Sequence, residues 1–317
     1  MYKAEWSPWE WPRDNFMSEY GGKITESRID KMMYDAKTAL DLGYNGIFYD
    51  VFGCHRDYNF IVNPERAYHK PDGSIQIGGN DLLEQREIVK RTATLCHLNG
   101  GNFAGTPYVS VHTTDCYVVP VMSFAVVDDC CERGAMGGDW QDRFPESYAI
   151  TEMCGLQAGT VPSVIASARV GDKERRGREM RSLMSLMCAY GFFGLSDQNM
   201  FYLASFEKAW NTVFDFGWGK PEVKIHFYYD EEPSPVTHNG KDVRLTVAEK
   251  ADAALLLFGN LGDDTDVSFD PSGLRFGNVK ISDAETGEKL DSNTFHVARH
   301  GYRMIKVERS KSAGNGL

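Results

Sequence analysis

The sequence predicts an α/β domain built on a parallel sheet, matching the last five strands of a (β/α) TIM-type barrel, followed by an all-β sandwich. Three observations carry this. Apolar strand-like runs centred near residues 48, 109, 125, 164 and 193 alternate with helical stretches, the pattern of a parallel sheet. A complete eightfold barrel takes roughly 250 residues, whereas this region supplies five such runs in about 215 residues. After Pro221 the pattern turns to short alternating runs punctuated by Asn239-Gly240, Asp263-Asp264, Pro271-Ser272-Gly273 and Thr286-Gly287, as in an antiparallel sandwich.

Taken in order, residues 26–42 place Ile29, Met32, Met33, Ala36, Ala39 and Leu40 on one helical face, and Gly43 stops the helix. The run Gly46-Ile47-Phe48-Tyr49-Asp50 follows as a buried strand that ends on a carboxylate. Residues 51–79 form a long loop rich in Gly, Pro, His and Arg, a length that usually marks function. Asn80 or Asp81 caps a second helix running to about Leu98. The strand Tyr108–His112 comes next, then a strand ending at Asp128, with only about 16 residues between their centres, too few for a standard crossover helix. A helix near 146–156, an extended run over 161–166, a helix over 173–189, the run 191–197 and a helix near 200–214 complete a first domain, 1–218. Seven strands between Val223 and Val307 make the sandwich, 219–309, and the tail 310–317 is expected to be disordered. The opening Trp6-Ser7-Pro8-Trp9-Glu10-Trp11-Pro12 is aromatic and turn-rich, and reads as what remains of an upstream unit.

Composition narrows the function classes. The 317 residues, 42% of them hydrophobic, suit two globular domains, each with a core of ordinary size. A net charge of -11 argues against nucleic acid, because neutralising phosphates takes a basic surface. No apolar run approaches the roughly 20 residues that span a bilayer, and Met1-Tyr2-Lys3-Ala4-Glu5-Trp6 lacks the apolar core of a signal peptide. Membrane insertion and export are therefore not expected of the chain as given. The seven cysteines, Cys54, Cys96, Cys116, Cys130, Cys131, Cys154 and Cys188, are odd in number, form no CxxC pair and sit mostly in apolar segments, as buried thiols do. Eight scattered histidines give no zinc spacing, so no metal and no other cofactor is expected.

The chemistry points to acids at strand ends, where parallel α/β folds keep their reactive groups. Asp50 ends one strand, and Asp128, Asp129 and Glu132 form a cluster 78 to 82 residues later. Cleaving a glycosidic bond needs one carboxylate to attack or steer and one carboxylic acid to protonate the leaving oxygen. Two such strands can supply both; the structural alternative is that Asp50 organises its loop and Asp128 or Asp129 caps a turn. His112 ends the intervening strand, where it would bond a sugar hydroxyl, tune a neighbouring acid or serve the core alone. Trp140, in the glycine-rich stretch Gly137-Gly138-Asp139-Trp140, would stack on a pyranose or pack the core. Tyr49 beside Asp50, Arg56 in the long loop and Asp197 at the last strand end are further substrate-binding candidates; Asp197 alternatively caps the next helix.

The succession GIFYD, REIVKRTATLCHLNGG, VSVHTTDCYVVPVMSF with acids following, GLQAGTVPSVIAS and YGFFGLSDQ resembles the C-terminal half of a bacterial family of glycoside-hydrolase-like barrels. That family is related to the β-N-acetylgalactosaminidase-type enzymes. The segments ALLLFGNLGDDTDVSFD, VKISDAETGEKL and FHVARHGYRMIKVE are similar to the β-sandwich that follows many such barrels, so the resemblance covers most of residues 20–308. It implies that Asp50 matches the strand-end acid of the fourth barrel strand, and that Asp128 or Asp129 falls where the α-galactosidase clan puts its acid/base on the sixth. Two departures stand out: the first three strands are missing, and Asp128-Asp129-Cys130-Cys131-Glu132 replaces a Gly-Glu pattern.

The expected function is hydrolysis of an O-glycosyl bond in an oligo- or polysaccharide, with Asp50 as nucleophile or stabiliser and Asp128, Asp129 or Glu132 as acid. The alternative is a non-catalytic carbohydrate-binding or structural remnant, since a half-barrel exposes sheet edges that must be covered. The partners expected are a carbohydrate and either a second copy or an N-terminal region that completes the barrel.

Overall fold

A computed structural model describes residues 2–3, 20–21, 24–50, 52, 56–57, 68–76, 79–101, 107–113, 118–119, 123–133, 139–152, 159–166, 173–192, 194–197 and 203–310. The chain divides into two compact units, one of residues 1–129 with 157–161 and one of residues 130–156 with 162–317.

In the first unit, helix α1 (Glu26–Asp41) starts at Thr25, whose Oγ1 accepts the Arg28 N–H, and it stops before Gly43 at φ +90°. Its buried face, Ile29, Ala36 and Leu40, matches the sequence expectation. Strand β1 (Gly46–Tyr49) pairs in parallel with β2 (Tyr108–His112), and β2 pairs with the first residues of β3 (Val127–Arg133). Gly46 permits this approach: a Cβ there would lie 2.6 Å from the Tyr108 carbonyl oxygen. Helix α2 (Leu82–Leu98) lies between β1 and β2 in the chain and begins after Asp81, as expected. Ile29 of α1, Ile88 and Val89 of α2 and Val109 and Val111 of β2 form one buried cluster with Phe52 and Ala125. That cluster fixes which sheet face meets the helices. Within the long loop, two-residue ladders join Arg56–Asp57 to Gly79–Asn80 and Tyr68–His69 to Ile75–Gln76.

The strand expected to end at Asp128 instead begins at Val127 and runs to Arg133. Both aspartates therefore lie inside β3, level with the C-terminal end of β2. The charged residues misled the boundary, because a strand interior bordering a polar site need not be apolar.

The second unit opens with the rest of β3 and two short helices, α3 (Trp140–Arg143) and α4 (Glu146–Glu152). Strands β4 (Val161–Ala166) and β5 (Gly194–Asp197) pair in parallel and are joined by α5 (Lys173–Tyr190); α6 (Leu203–Phe216) follows. These elements agree with the expected βα order, and the described strands do not close a barrel. The β-rich part has a five-stranded antiparallel sheet, in the order β6 (Lys224–His226), β8 (Val243–Glu249), β9 (Ala253–Asn260), β13 (Tyr302–Arg309) and β11 (Val279–Asp283). A three-stranded sheet has the order β7 (Thr237–His238), β10 (Thr265–Asp270) and β12 (Thr294–Val297). The short strand β7 brings the number to eight rather than seven.

Helices give way to strands between Phe216 and Lys224, and the compact unit of residues 130–156 and 162–317 extends across the expected boundary at 218/219. Helix α5 lies on the five-stranded sheet: Ser185 Oγ donates to the Asn260 carbonyl and Thr246 Oγ1 to that of Ala189. Met180, Leu183, Met184 and Met187 share one core with Leu255, Leu257 and Met304. A further tie runs from α4, where Glu146 accepts bonds from Arg244 Nε and Nη2, both at 3.0 Å, and from the Tyr190 hydroxyl at 2.8 Å. Of the tail expected to be disordered, 310–317, the Ser310 N–H donates to the Asn278 carbonyl at 2.8 Å, and residues 311–317 lie outside the described residues.

Candidate active site

Side chains alternate between the two faces of a strand, and residues paired across a parallel ladder point the same way. The register therefore sorts the candidate acids. Tyr49 pairs with Val111, and Val111 with Asp128; this row faces the helices. Phe48 pairs with Ser110 and His112 with Asp129, so these residues occupy the opposite face.

Asp50 follows Tyr49 and is level with His112, whose Nδ1 lies 2.7 Å from Asp50 Oδ1. The histidine side chain is 7% exposed and that of Asp50 66%, so a solvent-facing carboxylate is held by a buried ring. The Phe52 N–H donates to the His112 carbonyl at 2.7 Å and the Thr113 N–H to that of Asp129 at 3.2 Å, extending the ladder through the site. Asp50, His112 and Asp129 thus come together at one level of three adjacent strands. Each neighbouring strand is about 4.8 Å away, which spaces the two acids' backbones by about 10 Å with the His112 backbone between them.

Asp128 is separated from this group. It is fully buried on the helix side and accepts the Thr113 hydroxyl at 2.6 Å. Tyr49 likewise points away: its hydroxyl is 2.7 Å from Thr92 Oγ1 on α2, its ring packs on Phe52, and burial raises its phenol above the ordinary value. A substrate contact by Tyr49 is corrected to a packing role. The sequence offered a signal for Tyr49, which stands at an odd step from Asp50 on the site face.

Trp140 is corrected too. It is 1% exposed, with its ring against Phe144 at 4.4 Å and Tyr148 at 6.1 Å, so no sugar can stack on it. Trp140→Ala should lower the stability of the second unit by about 3–5 kcal/mol and leave sugar affinity unchanged, as calorimetry and ligand titration would measure. Glu132 and Asp197 lie in β3 and β5 of the second unit, and Arg56 in a two-residue strand; their side chains are outside the described residues. Sequence reasoning missed Phe48, half-exposed on the site face two residues before Asp50, and Thr113, which holds Asp128.

Among the described residues one set could approach a metal ion: Asp139, Asp142 and His300. Arg299 bridges its two acids, donating to Asp139 Oδ2 at 2.9 Å and to Asp142, and its hydrogen bond holds the Asp142 carboxyl below the usual range. An arginine already compensates these acids. A cleft of about 680 Å³ in the second unit, lined by Lys208, Asn211, Asp215, Phe216 and Lys250, includes none of the predicted site residues.

No protein-family model and no curated protein matches the chain. Solved structures do. A GH27 β-L-arabinopyranosidase from Geobacillus stearothermophilus aligns with 95% of this chain and 66% of its own, at TM-score 0.52 and 13% identity. Its D197A form in complex with arabinose aligns with 90% of this chain and 63% of its own, at TM-score 0.52 and 11% identity. The α-glucosyl transfer enzyme XgtA aligns with 90% and 68%, at TM-score 0.51 and 13% identity. The chain has a glycoside-hydrolase-like fold. It spans about two thirds of the length of these neighbours.

Proposed function

We propose that the chain hydrolyses an O-glycosyl bond, with Asp50 and Asp129 as the two working carboxyl groups. The observation that carries this reading is the shared face: Asp50, His112 and Asp129 stand on three adjacent strands at one level, within a glycoside-hydrolase-like fold. Asp50 acts on the anomeric carbon as nucleophile or as the charge that stabilises an oxocarbenium-like transition state. Asp129 gives its proton to the leaving oxygen as the C–O bond breaks, then takes one from the water that completes the reaction. Asp128 holds its strand and does not meet the substrate. The substrate is a carbohydrate, and kinship with β-N-acetylgalactosaminidase-type enzymes belongs to the same proposal; there, Asp50 would orient the sugar's acetamido group.

The test is incubation of the native chain and its Asp50→Asn variant with a panel of aryl glycosides. Release of phenol and free sugar by the native chain, lost in the variant, supports the reading. A second reading, carbohydrate binding without turnover, is favoured by the lack of barrel closure among the described strands. Glycan binding with no release would decide for it.

A further inference from the structure

We propose that His112 is the positioning residue of this site, holding Asp50 through its Nδ1–H so that this acid meets the anomeric carbon in one orientation. The inference rests on the glycosidase reading above, which already divides the work between the two acids, and adds to it the residue that orients one of them. The imidazole is fixed on every side that the structure describes. Its backbone is locked between the Phe52 N–H and the β3 ladder, its ring is buried, and its Nδ1 meets Asp50 Oδ1 at 2.7 Å. A buried ring on a sheet ladder cannot swing, whereas an exposed aspartate on the first residue after a strand can. The rigid partner therefore sets the orientation of the mobile one.

The chemistry follows from this orientation. An imidazole N–H donated to Oδ1 fixes the plane of the carboxyl group, and so the line along which it meets the anomeric carbon. Asp50 is thereby aimed for the nucleophilic or electrostatic work that the glycosidase reading gives it. Asp129, the register partner of His112 on its other side, is left as the donor. His112 touches neither the bond that breaks nor the proton that moves in this scheme, so its contribution is geometry.

Asparagine and glutamine variants separate this role from mere packing. An Asn amide can take the place of Nδ1, whereas a Gln amide reaches toward the place of Nε2. With an aryl glycoside that the native chain turns over, His112→Gln is expected to lower kcat about 100-fold, with KM moving less than about 3-fold, the loss expected of a misplaced reacting group. His112→Asn is expected to keep kcat within about 10-fold of native. Equal losses in the two variants, or full activity in His112→Gln, would overturn the assignment.

A second measurement needs neither turnover nor a variant at His112. Nitrogen-15 spectra of the native chain should place the ring proton on Nδ1, and Asp50→Ala should move it to Nε2. A proton on Nε2 in the native chain refutes the proposal. If the native chain cleaves no glycoside, the functional reading fails by itself, and the tautomer still decides the contact between His112 and Asp50.

Discussion

Asp129→Asn is expected to lower kcat/KM at least about 10³-fold on a glycoside with a poor leaving group, while Asp128→Asn, one residue away, keeps the rate within a few-fold of native. The difference comes from strand parity alone. Asp129 shares a face with His112 and Asp50, whereas Asp128 is buried against the helices and bonded to Thr113. Replacing the Asp128 carboxyl by an amide should appear as about 1–3 kcal/mol of lost stability, because a hydrogen bond between buried groups is weakened. Leaving-group dependence adds a check on roles. If Asp129 donates the proton, its loss matters less for a nitrophenyl leaving group, which departs without protonation, whereas Asp50→Asn abolishes both reactions. Steady-state kinetics on one aryl and one alkyl glycoside measure all three variants. A rate collapse in Asp128→Asn with an active Asp129→Asn would refute the assignment.

The second large effect concerns the core of the second unit. Gly259→Ala is expected to cost about 3 kcal/mol or more, because the added Cβ would stand 2.2 Å from the Ser185 carbonyl oxygen and 3.1 Å from the Ala189 Cβ. Both belong to α5, which rests on β9 at this point. The helix would have to move off the sheet, taking with it the Ser185 bond to Asn260. In calorimetry the transition of this unit should fall by roughly 6–12 °C at the usual 2–4 °C per kcal/mol. Gly277→Ala, at φ +73° but with open space around it, should cost less, through backbone strain alone. An unchanged transition in Gly259→Ala would show that the approach of α5 is looser than described.

How much of this was written in the sequence depends on the kind of signal. Helix α1 was legible from Ile29 to Leu40 and its Gly43 stop, as was α2 from its cap, since periodicity and end signals act locally. The two-sheet part was legible from its turn residues, apart from Thr237–His238, a strand too short to carry a pattern. The alternation inside β3 was not legible, because Asp128 and Asp129 are chemically identical and only pairing with β2 separates them. Trp140 could not be placed by composition, since its glycine-rich approach suggests a loop while its ring fills a core with Phe144 and Tyr148. The extension of the second unit across residue 218 depends on α5 meeting the sheet, a long-range packing outcome that no local window contains.

The adjacent aspartates of β3 have a consequence for how such a site could change over generations. A strand that slips by one position exchanges its two faces, and at most positions this would put an apolar group where an acid had been. Here an insertion of one residue before Val127 would bring Asp128 opposite His112, Val127 opposite Val111 and Asp129 level with Thr113, so the site face would keep an acid. A deletion of one residue would bring Cys130 opposite His112 instead, and the site-face carboxylate would be lost. The doubled acid works as a spare in one direction only: this junction can lengthen by a residue and keep its chemistry, and it cannot shorten.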